Sequence, residues 1–143
     1  MKIINANLGA DLPYINLYTF SDWHVGDPNC DIDSIIYQIE LVRNDEYGYV
    51  VCNGDLCNTA TKNSVSFTYG VQTPQEELEK VASLLAPIKD RILIYTEGNH
   101  EMRLMKEVGI SAGSFICGRL GILDKFAPDG GVVFLRFGCN TRK

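Results

Sequence analysis

Both histidines of this 143-residue chain fall in short polar clusters built from metal-binding side-chain types. The clusters are Ser21-Asp22-Trp23-His24, Asn53-Gly54-Asp55-Leu56-Cys57-Asn58 and Glu97-Gly98-Asn99-His100-Glu101. Carboxylate, imidazole and amide oxygen, without thiolate, suit a hard or borderline divalent ion such as manganese, iron or zinc. Asp22 and His24 stand two residues apart, so in extended backbone both side chains leave the same face. Gly54 and Gly98 permit tight turns and close backbone approach immediately before Asp55 and Asn99. Two ions roughly 3.5–4 Å apart need a bridging anion, and a carboxylate such as Asp55 can supply it. Arg103 lies two residues past Glu101, near a helix start.

The elements that must position these residues alternate in type. Tyr14–Phe20, Tyr47–Cys52, Arg91–Thr96 and Val132–Phe137 are short apolar runs rich in β-formers and predict four strands. Residues 31–44 place apolar side chains at 32, 35, 36, 39 and 42, which is helical spacing. Thr73-Pro74-Gln75-Glu76 is a helix start, with Thr at the cap, Pro in the first turn and acid beside it. The helix it opens runs to Leu85 or Ala86 with Leu78, Val81, Ala82, Leu84 and Leu85 as its buried stripe, and Pro87 ends it. His100–Val108 predicts a helix stopped by Gly109, and Ser114–Leu120 a short one. Thr59–Gly70 predicts a polar excursion or hairpin. This order predicts an α/β fold, βαβ layered, with helices over a mainly parallel sheet. Each polar cluster then follows a strand. The carboxyl ends of parallel strands share one edge, where ligands bind, so residues distant in sequence converge there.

Asp22-x-His24, Gly54-Asp55-x-x-Asn58 and Gly98-Asn99-His100-Glu101 together resemble the first three signature blocks of the calcineurin-like metallophosphoesterases. The likeness covers roughly residues 17–101 and extends in strand order to the last strand. It implies a layered sandwich with a dinuclear metal site. It implies Asp22 and His24 as ligands of one metal, Asp55 as the bridge, and Asn99 as a ligand of the second. His100 would be the acid near the leaving group or a group polarising the phosphate. Asn58 and Glu101 would orient the turn and the ligands, and Arg103 would reach a phosphate oxygen. The implied reaction is hydrolysis of a phosphomonoester or phosphodiester by a metal-activated hydroxide.

The chain departs from that pattern after its third block. The resembling family adds a further His and then a Gly-His-x-His block, and here there is no third His. The first metal keeps Asp22, His24 and Asp55, but the second keeps only Asp55 and Asn99. Cys139 would bias the site toward soft metals and is a poor substitute. Residues 1–143 are therefore expected to form one incomplete domain, truncated after the fourth strand, that binds one ion firmly and turns over slowly. The chain is expected to be a fragment of a longer enzyme, without its C-terminal half, or the product of a truncated, decaying gene, ahead of a site that a second chain completes with the missing histidines. The alternative is a non-catalytic scaffold or partner-binding module of the same fold. A response-regulator-like module holding a single Mg²⁺ fits less well, because it leaves His24 and His100 unexplained.

Plainer readings accompany each residue. Asp22 and His24 taken alone are a cap and a structural loop histidine. Asp55 and Asn58 make an Asx-type turn. Asn99 is a candidate N-cap, and Glu101 a dipole-favouring acid at a helix start. Arg103 is an ordinary solvated helix residue. Trp23 is either a core cap or a wall of the site. Tyr47, Tyr49, Phe67 and Tyr69 read as packing rather than a stacking surface for bases.

Composition narrows the field further. The chain is 45% hydrophobic and 22% charged, which are globular values and exclude fibrous or disordered classes. A net charge of −5 argues against a protein that coats nucleic acid or membrane by charge, though nucleic-acid ends stay open as substrates. Asp11 and Pro13 break the N-terminal apolar run, so no signal peptide is expected. No run of 18 apolar residues occurs. Five cysteines, odd in number and without a CxxC pair, predict reduced thiols and a cytoplasmic location. The spacing of Cys52 and Cys57 is wrong for a tight tetrahedral zinc loop.

Overall fold

The computed structural model describes residues 1–61 and 72–138. Among them the elements run β1 (Lys2–Gly9), β2 (Asn16–Phe20), α1 (Ile32–Asn44), β3 (Gly48–Cys52), α2 (Pro74–Leu85), β4 (Ile92–Tyr95), α3 (Glu101–Val108), α4 (Ala112–Leu120) and β5 (Gly131–Phe137). All strand pairs are parallel: β2–β3–β4 form one sheet and β1–β5 another. The α/β class and the parallel sheet agree with the sequence reading.

The helix ends follow local chemistry. Asp31 caps α1 by accepting the Ser34 N–H at 3.0 Å. Thr73 and Glu76 form a reciprocal capping box on α2. Gly109 ends α3 in the left-handed conformation at φ 72°, which costs glycine nothing. Pro87 stops α2 as expected, and the chain continues as a 3₁₀ segment over Ala86–Arg91. α4 begins earlier than predicted because Ser111, not Ser114, is the capping residue.

The main core lies between one face of β2–β3–β4 and the helices. Ile35, Ile39 and Val42 of α1, Leu78, Val81 and Leu85 of α2, and Ile116 and Leu120 of α4 pack with Phe20, Val50, Ile92 and Tyr95. The helical stripes are slightly narrower than predicted, since Ile36 is exposed and Leu84 is only partly buried. A register shift in the β3–β4 pairing, with Val50 opposite Ile92 but Val51 opposite Ile94, turns Ile94 to the other face, where it meets Ile4 and Ala127, with Val51 and Val133 packed against them. The β1–β5 pair therefore lies on the side of the central sheet away from the helices.

Two expectations need correction. β1 is a strand the sequence reading missed, so the described strands number five and Val132–Phe137 belongs to the fifth. That strand pairs with β1, in register from Lys2–Gly131, and not with the sheet that carries the polar clusters. The expected excursion at Thr59–Gly70 lies mostly outside the described residues, as do Phe67, Tyr69 and Cys139. Tyr47 stacks on Tyr14 at 4.7 Å and Arg91 lies over the Tyr49 ring at 5.9 Å, so both tyrosines are engaged in packing. No helix among the described residues is long and apolar enough to cross a membrane.

Candidate metal centre

Where β2 and β3 end, their backbone pairing continues into the polar clusters. Asn53 N–H donates to Phe20 O at 2.8 Å, Asp22 N–H to Gly54 O at 3.3 Å, and His24 N–H to Asp55 O at 3.0 Å. Val25 N–H then donates to Leu56 O, and Asn58 N–H returns to Val25 O, both at 2.9 Å. The first two clusters are thus zipped side by side. Thr96 N–H donates to Cys52 O at 2.9 Å and brings the end of β4 alongside. The second and third clusters approach most tightly at two glycines. A Cβ on Gly54 would lie 2.2 Å from Gly98 N, and a Cβ on Gly98 would lie 2.2 Å from Asp55 Oδ1.

The backbone is strained at the residues with metal-binding side chains. Among the described residues four non-glycines have positive φ: Asp22 (57°), His24 (49°), Asp55 (53°) and Thr59 (45°). Such conformations persist only where surrounding structure over-determines them, and they gather at functional sites. Three of the four are residues assigned to metal binding from the sequence.

Glu101 supplies much of that determination. Its side chain is fully buried at the start of α3. One carboxylate oxygen accepts the N–H groups of Leu56 and Cys57 at 2.7 and 3.0 Å. The other accepts those of Asp55 and Gly98 at 2.8 and 3.0 Å. Four charge-assisted bonds compensate the buried charge and fasten the loop after β3 to the loop after β4. The carboxylate thus joins two loops as well as standing at a helix start.

The remaining side chains converge to different degrees. His24 Nε2 lies 3.8 Å from Asp22 Oδ1. The His24 and His100 rings face each other with centroids 4.3 Å apart. Asp55 Oδ1 accepts the His100 N–H at 2.8 Å, which ties the second cluster to the third. His100 occupies the N-cap position of α3 in place of Asn99 and makes no side-chain cap. Its Nε2 lies 3.1 Å from Arg103 Nη2. A guanidinium only donates, so Nε2 accepts and the proton sits on Nδ1, which donates to Asn58 O at 3.1 Å. Burial, then the Arg103 guanidinium and His24, hold the His100 pKa below the ordinary imidazole value. Arg103 Nη1 also donates to Asn58 O at 3.2 Å, so Arg103 is committed to the cluster rather than simply solvated. Asn99 is exposed at the rim.

The donor set fits a divalent ion in part. Two ligands each about 2.1 Å from one ion lie roughly 3.0–3.4 Å apart, close to the Asp22–His24 separation. His24 Nδ1 is buried without a hydrogen-bond partner among the described residues. Asp22, His24 and His100 line a cleft of about 480 Å³ with Asp27, Asp31 and Asn58. Among the described residues its lining includes three carboxylates and no lysine or arginine, which favours cations. Among the described residues, however, no three His, Cys, Asp or Glu side chains are gathered closely enough to hold an ion by themselves. Cys52 and Cys57 are buried free thiols whose pKa values burial pushes up, and Cys30, a half-buried thiol in the cleft lining, is raised in the same way.

Trp23 answers its two readings at once. It is only 6% exposed and packs on Phe20 at 4.9 Å, yet it also lines the cleft. Two residues under the cluster escaped the sequence reading, Glu77 and Thr59. Glu77 looked like one more first-turn acid of α2, but it is 2% exposed and accepts the Thr59 N–H. The one local signal was its place beside Leu78 on the buried stripe. Comparison of the chain with known protein families, with curated proteins and with solved structures finds no match.

Proposed function

We propose that the chain is a metal-dependent phosphoesterase of the calcineurin-like kind, acting on a phosphomonoester or phosphodiester, with catalysis impaired in this chain alone. One observation carries the reading: Asp22, His24 and Asp55 sit in strained left-handed backbone on adjacent strand ends. Nothing about a stable α/β sheet requires three such residues there. In this reading Asp22, His24 and Asp55 hold one divalent ion, manganese, iron or zinc, and Asp55 with Asn99 offers a weaker second place. A bound ion would acidify water and offset charge on the phosphoryl oxygens. Arg103 carries the cation nearest the imidazole pair and is suited to a phosphoryl oxygen. His100, neutral and hydrogen-bonded at both ring nitrogens, orients Arg103. To serve as an acid toward a leaving group it must first release Nε2 from the guanidinium. Asn58 and Glu101 hold the loops in place.

The test is calorimetric titration with Mn²⁺, joined to hydrolysis of a nitrophenyl phosphate ester. The expected result is one firm site per chain and slow turnover, both lost in Asp55→Asn. Absence of any Mn²⁺ binding would remove the reading, and two tight sites with brisk turnover would remove the impairment. A second reading, a non-catalytic partner-binding module, is favoured by the exposed apolar side chains Ile3, Val132 and Phe134 on β1 and β5. Firm Mn²⁺ binding without turnover is its signature.

A further inference from the structure

Beneath the cleft a second buried carboxylate reaches the loop after β3 from a different element. Glu77 projects from the first turn of α2 and accepts the N–H of Thr59, 18 residues earlier in the chain. The space it occupies exists because residue 26 is glycine. A Cβ on Gly26 would lie 2.3 Å from the Glu77 carboxyl group, and Gly26 is at φ 108°. Thr59 is fully buried at φ 45°, a conformation hostile to a β-branched residue. Two bonds hold it there: its N–H to Glu77, and its hydroxyl, which donates to the carbonyl oxygen of His100. The neighbouring Asn58 carbonyl in turn receives His100 Nδ1 and Arg103 Nη1.

We propose that Glu77 is a positioning residue for His100, acting through the Asn58–Thr59 turn to fix both the imidazole's place and its Nδ1–H tautomer. The inference takes from the proposed function only that His100 faces the reacting phosphate. Without an acceptor at position 77 the Thr59 N–H is left buried and unpaired, and strained backbone relaxes when its determinants go. The Thr59 hydroxyl then leaves the His100 carbonyl, and the Asn58 carbonyl leaves Nδ1. The Nδ1–H tautomer is the less common one for free imidazole, so it reverts when that acceptor moves. The groups facing Glu77 are the Thr59 and Asn58 N–H groups, with Asp27 as the nearby charge. No lysine or arginine among these offers a competing hold on the carboxylate.

The chain has only two histidines, so imidazole ¹H–¹⁵N correlation spectra of the metal-free protein resolve each ring. In the wild type and in Glu77→Gln, whose amide oxygen still accepts the Thr59 N–H, His100 is expected to carry its proton on Nδ1. In Glu77→Ala it is expected to shift to a mainly Nε2–H or averaged form, with His24 unchanged. A merely structural role would lower stability and leave the tautomer of the folded protein as it was. That outcome in folded Glu77→Ala overturns the proposal. If Glu77→Ala does not fold, Thr59→Gly decides, because glycine accepts the backbone angle while the hydroxyl bond to the His100 carbonyl is lost with the side chain. Loss of the Nδ1–H form supports the relay, and its retention overturns it. The spectra need neither metal nor activity, so a failed Mn²⁺ titration would refute the proposed function and leave this relay standing.

Discussion

Two buried glutamates, Glu101 and Glu77, reach the same loop from different helices and are solvated by the protein in different ways. Glu101 is met by four backbone N–H groups, so its charge is compensated where it lies. Glu77 is met by two, from Thr59 and Asn58, which does not offset its burial, and Asp27 adds repulsion. Its pKa rises to about 7. The folded state therefore holds a proton on Glu77 that the unfolded chain releases near the ordinary carboxylate value. The sign follows from linkage: between about 4.5 and 7 the native state binds more protons, so stability falls as pH rises through that window. The cost of ionising Glu77 is absent below the window and complete above it, and amounts to roughly 3 kcal/mol. Urea unfolding of wild type and Glu77→Gln across pH 4 to 8 should show their difference in stability growing by about that amount in favour of the variant, then levelling off. A difference independent of pH would mean that Glu77 is ionised in the native state throughout. None of this was legible in sequence, where Glu76 and Glu77 are two adjacent acids of one helix start. Only tertiary packing separates the exposed capping-box acid from the buried one.

At the scale of elements, the sequence was legible wherever the determinants were local. Caps at Asp31 and Thr73, the stop at Gly109 and the apolar runs of β2, β3 and β4 lie within a few residues of what they control. β1 was missed because its partner β5 begins 129 residues after β1 does, at Gly131 against Lys2. Three asparagine or glycine residues in Asn5-Ala6-Asn7-Leu8-Gly9 also weaken its β signal. The candidate site was legible for a different reason: each polar cluster directly follows a strand, and a parallel sheet collects strand ends on one edge. What stayed hidden is how closely the loops approach. Gly54 and Gly98 were read as permitting close approach, and the approach is closer than any side chain allows. Gly98→Ala places a methyl group 2.2 Å from Asp55 Oδ1 and so must unseat either Asp55 or the loop. Since Gly98 N–H also binds Glu101, the displacement disturbs the buried carboxylate as well. The expected loss is more than about 2 kcal/mol in thermal unfolding, in the tail of single-substitution effects. Gly118→Ala, with nothing within 4 Å of the new methyl group, is the control and should cost nothing or add slight stability within α4.

For the whole molecule, charge decides the order in which ligands can enter. The chain carries −5 overall, and the cleft adds Asp22, Asp27 and Asp31 along its walls. A phosphate dianion approaching those walls meets like charge in a partly desolvated space, and Arg103 beside it is already bonded to Asn58 and His100. A divalent cation meets the opposite situation. If the chain acts as proposed, cation binding should therefore precede and enable anion binding, and the two ligands should be thermodynamically coupled. Thermal unfolding reads this directly, because a ligand of the native state stabilises it by RT ln(1 + [L]/Kd). Mn²⁺ at about 100 times its Kd should contribute ~2.7 kcal/mol, or about 9 °C for a chain of this size. Inorganic phosphate alone should leave the midpoint unchanged, and phosphate added after Mn²⁺ should raise it further. A shift with phosphate alone would show that the protein's own cations suffice for the anion. The acidic cleft would then be no barrier, and the role given to the metal would pass to Arg103.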